Sequence, residues 1–185
     1  PNIHECWGRG TATFMFAGKA CTRGCRFCAV DTIRNPPPPD EDEPIKLAEA
    51  IKNMGLTYSV ITVVNRDDMD DGGALHYKKC IDKVHEICPN VGIEFLCSDL
   101  SGNVNALEFL LVDSPLVVFA HNVETVRRLT ARVRDPRATF DQSLLILKKA
   151  KEIRPDILTK TSIMLGLGES EEDLLSAFKD LREAN

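Results

Sequence analysis

Three cysteines fall within eight residues of this 185-residue chain, as Cys21-Thr-Arg-Gly-Cys25-Arg-Phe-Cys28. Thiolates are soft metal ligands, and three on one short loop hold a metal centre while leaving one coordination position open. Iron-sulfur clusters usually take four cysteines, and a structural zinc site also closes with four ligands, so the trio is one short. No cysteine follows until Cys80, and Cys6 or His4 would have to complete a zinc loop. Zinc motifs usually pair two C-x2-C or C-x2-H halves, whereas a single C-x2-C occurs here. The alternatives are therefore an iron-sulfur centre with an open position, where chemistry can take place, and a structural zinc loop.

Further polar segments could carry chemistry. Asn65-Arg-Asp-Asp-Met-Asp-Asp-Gly-Gly73 holds four carboxylates in five positions, enough to bind a divalent cation. Asp and Gly are also the usual residues of a strand-to-helix turn, which is the stronger reading. His121-Asn-Val-Glu-Thr125 could merely cap a helix, yet Asn122 and Glu124 have the donors, acceptors and charge to hold ribose hydroxyls. Ser162-Ile-Met-Leu-Gly-Leu-Gly-Glu169 carries Gly166 and Gly168, which let a backbone approach a flat ligand closely. Lys160, just before it, reads either as an edge side chain reaching water or as the partner of a carboxylate.

Positioning these segments requires a frame, and the hydrophobic pattern supplies one. Apolar, β-branched runs at Thr11–Phe16, Tyr58–Val64, Val91–Leu96, Leu116–Ala120 and Ile157–Leu165 predict five strands. Between them lie helical patterns: one opened by Glu43-Pro44 and ended before Gly55, then Ala74–Ile87, then Val104–Leu111, and another from about Val123. A further helix capped by Asp141 carries Leu144, Leu147, Ala150 and Ile153 on its apolar face and stops before Pro155. Ser170 with Asp173 predicts a capping box for the last. Strands alternating with helices predict an α/β fold with a parallel sheet, either doubly wound or an arc of a (β/α) barrel. The polar motifs follow strands one, two, four and five, at the end where barrel active sites are built, which favours the barrel.

Bulk properties narrow the function. A hydrophobic content of 43% supports one sizeable core, and no apolar run approaches the ~20 residues of a membrane span. A net charge of −5 with 6% aromatics argues against a nucleic-acid surface. Seven cysteines, three of them clustered, fit a reducing compartment and a metal site better than a disulfide framework. Cys80 and Cys88 fall on a helical pattern and read as buried small apolar residues without a role.

The spacing C-x3-C-x-aromatic-C, with Phe27 as the aromatic, resembles the signature of radical S-adenosylmethionine (radical SAM) enzymes. Together with Pro1-Asn-Ile-His-Glu-Cys-Trp7, Arg66-Asp-Asp-Met-Asp-Asp-Gly-Gly73, His121-Asn-Val-Glu-Thr-Val126 and Lys160-Thr-Ser-Ile-Met-Leu-Gly-Leu-Gly-Glu169, it resembles the lipoyl synthase family along essentially the whole chain. The resemblance implies one partial TIM barrel domain of the radical SAM type over 1–185. Residues 1–10 would be the tail of an auxiliary-cluster segment and 11–185 would hold strands one to five with their helices. It implies a 4Fe-4S cluster on Cys21, Cys25 and Cys28 whose open iron takes S-adenosylmethionine. A second, auxiliary 4Fe-4S cluster is consumed as sulfur donor, with Cys6 among its ligands. The activity implied is sulfur insertion at carbons 6 and 8 of a protein-bound octanoyl-lysine, which needs a primary alkyl radical because those carbons are unactivated.

By the same resemblance Phe27, Asn122, Glu124 and the Gly166, Gly168 and Glu169 turn line the S-adenosylmethionine site, with Lys160 and Ser162 beside it. Partners implied are octanoylated lipoyl carrier domains of 2-oxoacid dehydrogenase complexes and of the glycine cleavage system, and an electron donor, with no nucleic acid and no membrane. Asn35-Pro-Pro-Pro-Pro39 and Arg134-Asp-Pro-Arg-Ala138 look like organellar members, which implies the mitochondrion, with plastid or bacterial cytoplasm as alternatives. The chain departs from the family at Thr62-Val-Val-Asn65, where a hydroxyl and a carboxylate are lost. It departs again at Cys97-Ser-Asp-Leu-Ser-Gly102, where an arginine is lost. A radical SAM enzyme of other specificity and a non-catalytic zinc-binding module remain the alternatives.

Overall fold

The computed structural model describes residues 3–184. Pro1 and Asn2 of the first motif and the side chain of His4, a candidate zinc ligand, lie outside the described residues. A short helix α1 (Ile3–Gly8) leads into β1 (Thr11–Phe16), and a two-residue parallel pair, β2 (Ala20–Cys21) with β3 (Asp31–Thr32), brackets the cysteine loop. There follow α2 (Glu43–Asn53), β4 (Tyr58–Val63), α3 (Ala74–Ile87), β5 (Gly92–Leu96), α4 (Val104–Leu111), β6 (Val118–Ala120), α5 (Thr130–Val133), α6 (Phe140–Ile153), β7 (Leu158–Lys160) and α7 (Glu171–Glu183). The main sheet runs β1-β4-β5-β6-β7, and each neighbouring pair is parallel.

That order decides between the two architectures left open by the pattern. A doubly wound sheet reverses its strand order at a switch point, whereas here the order follows the chain without reversal. Crossovers of one hand then put the helices on one face, giving an arc of a (β/α) barrel that is not closed, with β1 and β7 as edges. The core lies between sheet and helices. Phe16, Ile61, Ile93, Phe95 and Phe119 pack against Ile51 of α2, Tyr77, Ile81 and Val84 of α3, and Leu107 and Leu110 of α4. Phe16, Tyr77 and Phe95 form an aromatic cluster with ring centroids 5.7–6.0 Å apart, each pair adding about 0.5–1.5 kcal/mol beyond burial. The alternate residues Met15, Thr62, Leu96 and Lys160 belong to the other face of the sheet, which the helices leave open.

Strands and helices through α4 match the pattern within a residue or two, and the predicted capping box of Ser170 and Asp173 opens α7. Three local expectations are corrected. No helix begins at Val123, because the backbone there is already paired: Glu124 N donates to Ser162 O and Met164 N to Glu124 O, a parallel bridge to the segment after β7. The fifth strand is shorter than Ile157–Leu165, since regular pairing stops at Lys160 and resumes only at that bridge. The cap of α6 is Thr139, whose hydroxyl accepts from Gln142 N, while Asp141 sits in the first turn.

Candidate functional site

The segments that leave the C-terminal ends of β1, β4, β5 and β6 meet around a cavity of about 240 Å³. Cys21, Cys25, Phe27 and Cys28 line it together with Asn122 and Glu124, which lie almost a hundred residues away in sequence. Met15, Val63 and Leu96 supply apolar walls. Cys6, on α1, does not line this cavity, nor do Lys160, Ser162, Gly166, Gly168 or Glu169. Lys160 instead donates to the buried carboxylate of Glu94 at 2.7 Å, the carboxylate-partner reading. The Gly166–Glu169 turn closes on itself, Glu169 accepting from Gly166 N and Leu167 N at 2.5 and 2.8 Å. Ser162 contributes its carbonyl to the bridge with Glu124.

The cysteine loop is held rigidly from three sides. At its root Ala17 has φ +69°, a conformation a non-glycine residue adopts only when its surroundings impose it. Ala17 N donates to Glu43 Oε2 at 2.8 Å and Ala17 O accepts from Arg66. Glu43 Oε2 in turn accepts from His76 Nε2 at 2.6 Å, and Cys80 Sγ lies 3.7 Å from the same nitrogen, so these three side chains cluster behind the turn. On the second side Arg23, with its side chain 1% exposed, pairs with Asp67 and Asp99, while Thr22 Oγ1 donates to Asp67 Oδ2 at 2.6 Å. Burial opposes ionisation of Asp67, but Arg23 and the hydroxyls of Thr22 and Ser101 outweigh it and hold the carboxyl at about 2. Asp68 pairs with Arg66, and Asp71 accepts from Gly73 N and Leu75 N, so the acidic run serves the turn, as its composition favoured.

The third side is the segment after α5. Asp135 Oδ2 accepts from Gly24 N at 3.0 Å, Arg137 Nη2 donates to Thr22 O at 2.6 Å, and Arg26 N donates to Val133 O at 2.9 Å. Sequence reasoning missed Arg23, Asp99, Arg134, Asp135 and Arg137 as parts of the site, and singled out Asp67 only within an acidic run. Arg134-Asp-Pro-Arg-Ala138 was read only as a mark of lineage, and its single available signal was a cluster of charges that a surface loop could equally carry. The departures at Asn65 and Ser101 are absorbed locally. Asn65 acts through its backbone, its carbonyl accepting from Thr22 N at 3.0 Å and its N–H donating to Cys21, and Ser101 Oγ donates to Asp67.

The donor set around the thiols fits a cluster. Arg23 N and Asn65 N point at Cys21 Sγ at 3.4 and 3.3 Å, and Asp135 N points at Cys25 Sγ at 3.3 Å, an arrangement suited to thiolates that carry negative charge. A single tetrahedral zinc ion would draw its sulfurs to about 3.8 Å from one another, given its bond length. Among the described residues only Glu43, His76 and Cys80 bring three ligand atoms within 4.8 Å, so the cysteine trio is spread wider than one ion requires. Among the described residues, that spread weighs against the zinc loop.

Beyond the thiols, Glu124 has φ +65° and is half-buried. Burial raises its carboxyl above the ordinary range, against a hydrogen bond from Asn122 that lowers it. His121 is buried and neutral. Nδ1 must donate to the Cys97 carbonyl at 2.9 Å, since a carbonyl can only accept. Nε2 then accepts from Ser143 Oγ at 2.9 Å, and that hydroxyl accepts from Arg134 Nη1 at 2.7 Å. Strained backbone and a perturbed carboxyl in one cleft with free thiols mark a binding site.

The Radical SAM superfamily model matches residues 15–181. The chain belongs to the radical SAM superfamily. Within that superfamily the chain is 55% identical over 190 residues to the mitochondrial lipoyl synthase of Bos taurus, covering 100% of this chain and 51% of the relative. Against the chloroplastic lipoyl synthase of Arabidopsis thaliana the identity is 54%, covering 98% and 47%, and against the apicoplast lipoyl synthase of Plasmodium yoelii yoelii it is 52%, covering 98% and 36%. The chain thus spans about half the length, or less, of these relatives. Among solved structures, methylornithine synthase superposes with a TM-score of 0.69 at 14% identity, over 100% of this chain and 53% of that one. The FeFe-hydrogenase maturase HydG from Carboxydothermus hydrogenoformans gives 0.72 at 16%, over 98% and 43%. These two share the fold of this radical SAM chain.

Proposed function

We propose that this chain is the radical-generating part of a lipoyl synthase, in which Cys21, Cys25 and Cys28 hold a 4Fe-4S cluster and Phe27, Asn122 and Glu124 hold S-adenosylmethionine. The observation that carries this reading is the single cavity in which the three thiols meet the Asn122–Glu124 turn. Identity above 50% along the whole chain to lipoyl synthases of three kinds of organelle supports the specificity. When bound, cluster and S-adenosylmethionine together supply a primary alkyl radical able to take hydrogen from a methylene group.

The residues of this chain bind, orient and exclude water. Arg23, Asp67 and Asp99 hold the cysteine loop in one shape, Glu124 accepts from ribose hydroxyls with Asn122 beside it, and Met15, Val63 and Leu96 keep the cavity apolar. The substrate of this reading is an octanoyl-lysine on a lipoyl carrier domain of a 2-oxoacid dehydrogenase complex or the glycine cleavage system, with sulfur entering at carbons 6 and 8. Cys6 is assigned to an auxiliary 4Fe-4S cluster of a longer protein, residues 1–185 to one domain, and the mitochondrion to its compartment. Lys160, Ser162, Gly166, Gly168 and Glu169 have other partners and are left out of the cofactor site.

Anaerobic isolation tests the reading: brown protein with iron and labile sulfide is expected, and colourless protein carrying stoichiometric zinc overturns it. Product analysis of an octanoylated carrier domain, incubated with the full-length protein, a reductant and S-adenosylmethionine, tests the specificity. Two sulfurs gained in the carrier's mass are expected, and cofactor cleavage without sulfur insertion would move the chain to another radical SAM reaction.

A further inference from the structure

Arg134 is 7% exposed and lines the cavity beside Cys25 and Glu124, where burial disfavours its charge and the nearby carboxylates of Asp99 and Glu124 favour it without pairing with it directly. Among the described residues no carboxylate reaches ion-pair distance of it. Its Nη1 is spent on the Ser143 hydroxyl, and its Nε is buried with no partner. A buried, unpaired guanidinium is costly unless an anion is meant to sit near it. Its neighbour Asp135 turns its backbone N–H onto Cys25 Sγ at 3.3 Å, and that turn is fastened by Asp135 Oδ2 on Gly24 N and by Arg137 on Thr22 O and on Asp135 itself. The charge of Arg134, which lines the same cavity, and an N–H donor 3.3 Å from the sulfur therefore both favour negative charge on Cys25, from a segment 110 residues distant in sequence.

Resting on the cluster reading above, we propose that Arg134 and the Asp135 amide form an electrostatic clamp that makes the cluster on Cys21, Cys25 and Cys28 easier to reduce. One electron passes from an external reductant to the cluster, no bond forms or breaks, and the added negative charge is what the guanidinium and the N–H stabilise. Hydrogen bonds to ligand sulfurs and nearby charge are among the factors that set iron-sulfur potentials. Arg134 and Asp135 are positioning residues in this scheme, and Arg137 holds the clamp closed.

The test is the midpoint potential of this cluster in the full-length protein, followed during a dithionite titration by the electron paramagnetic resonance signal that changes when S-adenosylmethionine is added. Arg134→Gln is expected to bind iron as the parent does but to reduce at a more negative potential, Arg134→Lys to stay near the parent, and Arg137→Leu to shift the same way as Arg134→Gln by less. Parent potentials in both loaded Arg134→Gln and Arg137→Leu overturn the clamp. If Arg134→Gln does not fold, a parent potential in Arg137→Leu overturns it alone. An unchanged potential with weakened S-adenosylmethionine binding in Arg134→Gln also overturns it, and makes Arg134 a cofactor-binding residue instead. A parent protein that takes up no iron and sulfide fails the underlying cluster reading, so the two failures are distinguishable.

Discussion

Single side chains at this site are set by burial against charge. Replacing Cys21, Cys25 or Cys28 by Ala is expected to abolish cluster assembly, because two thiolates cannot replace a cradle of three, while Cys80→Ala leaves iron content at the parent level. Iron content after anaerobic reconstitution separates the two outcomes. Glu124→Gln keeps shape and loses charge, so S-adenosylmethionine affinity is expected to fall about tenfold, the worth of one charged hydrogen bond, at constant iron loading. Equal affinity by titration would leave Glu124 as a structural turn residue. His121 provides a stability signature. Its imidazole titrates near 6.5 when unfolded and at about 4 in the fold, chiefly because burial disfavours the cation. Between those values the unfolded chain binds the extra proton, so stability rises with pH across this window, is complete above 6.5 and is lost as pH falls toward 4. The gap corresponds to on the order of 3 kcal/mol. By chemical denaturation the parent should be about 2 kcal/mol less stable at pH 5 than at pH 7, the part of that gap crossed between them, and His121→Asn, with no group to titrate, should flatten that difference.

At the scale of elements, the turns after the strands carry both the chemistry and the strain. Gly73 opens α3 at φ +92°, and a Cβ there would stand 2.7 Å from the ring and hydroxyl of the fully buried Tyr77. Gly73→Ala therefore forces a left-handed alanine against a side chain with no room to move, and a loss of about 2–3 kcal/mol is expected in chemical denaturation. Ser170→Ala removes the hydroxyl half of the capping box of α7 and is expected to cost about 1 kcal/mol. The contrast is informative because the first mutation strikes the core beside the cysteine loop and the second a largely exposed helix.

For the whole molecule, the open arc has consequences of its own. β7 is an edge strand with Leu158 67% exposed, and the exposed Phe178 of α7 lines a groove with Thr159 and Lys160. An unpaired parallel edge beside apolar side chains is a template for association with another copy. Expressed alone, this 185-residue stretch is expected to self-associate in a concentration-dependent way, as light scattering behind size exclusion would show. Leu158→Lys, which places a charge on the edge, should shift it toward monomer. A monomeric parent at high concentration would show that the edge is already protected.

The amino-acid sequence by itself determined the cysteine trio, the alternation of strand and helix and the polar stretch after strand four that carries Asn122 and Glu124. Those features are local: a spacing of three or four residues, an apolar period, a glycine or aspartate where the chain must turn. The tertiary structure alone decided that the sheet is an arc ordered as the chain runs, and that Asn122 and Glu124 share the thiols' cavity while Glu169 closes its own turn. It also revealed Arg134 and Asp135 as neighbours of Cys25. The physical reason is that these are partnerships between groups as much as 115 residues apart, such as Arg137 with Thr22 O. Charged groups offer several possible partners in a sequence, and only packing, by burying Arg23 with Asp67 and Asp99 and leaving Arg134, among the described residues, with a buried Nε that has no hydrogen-bond partner, selects among them.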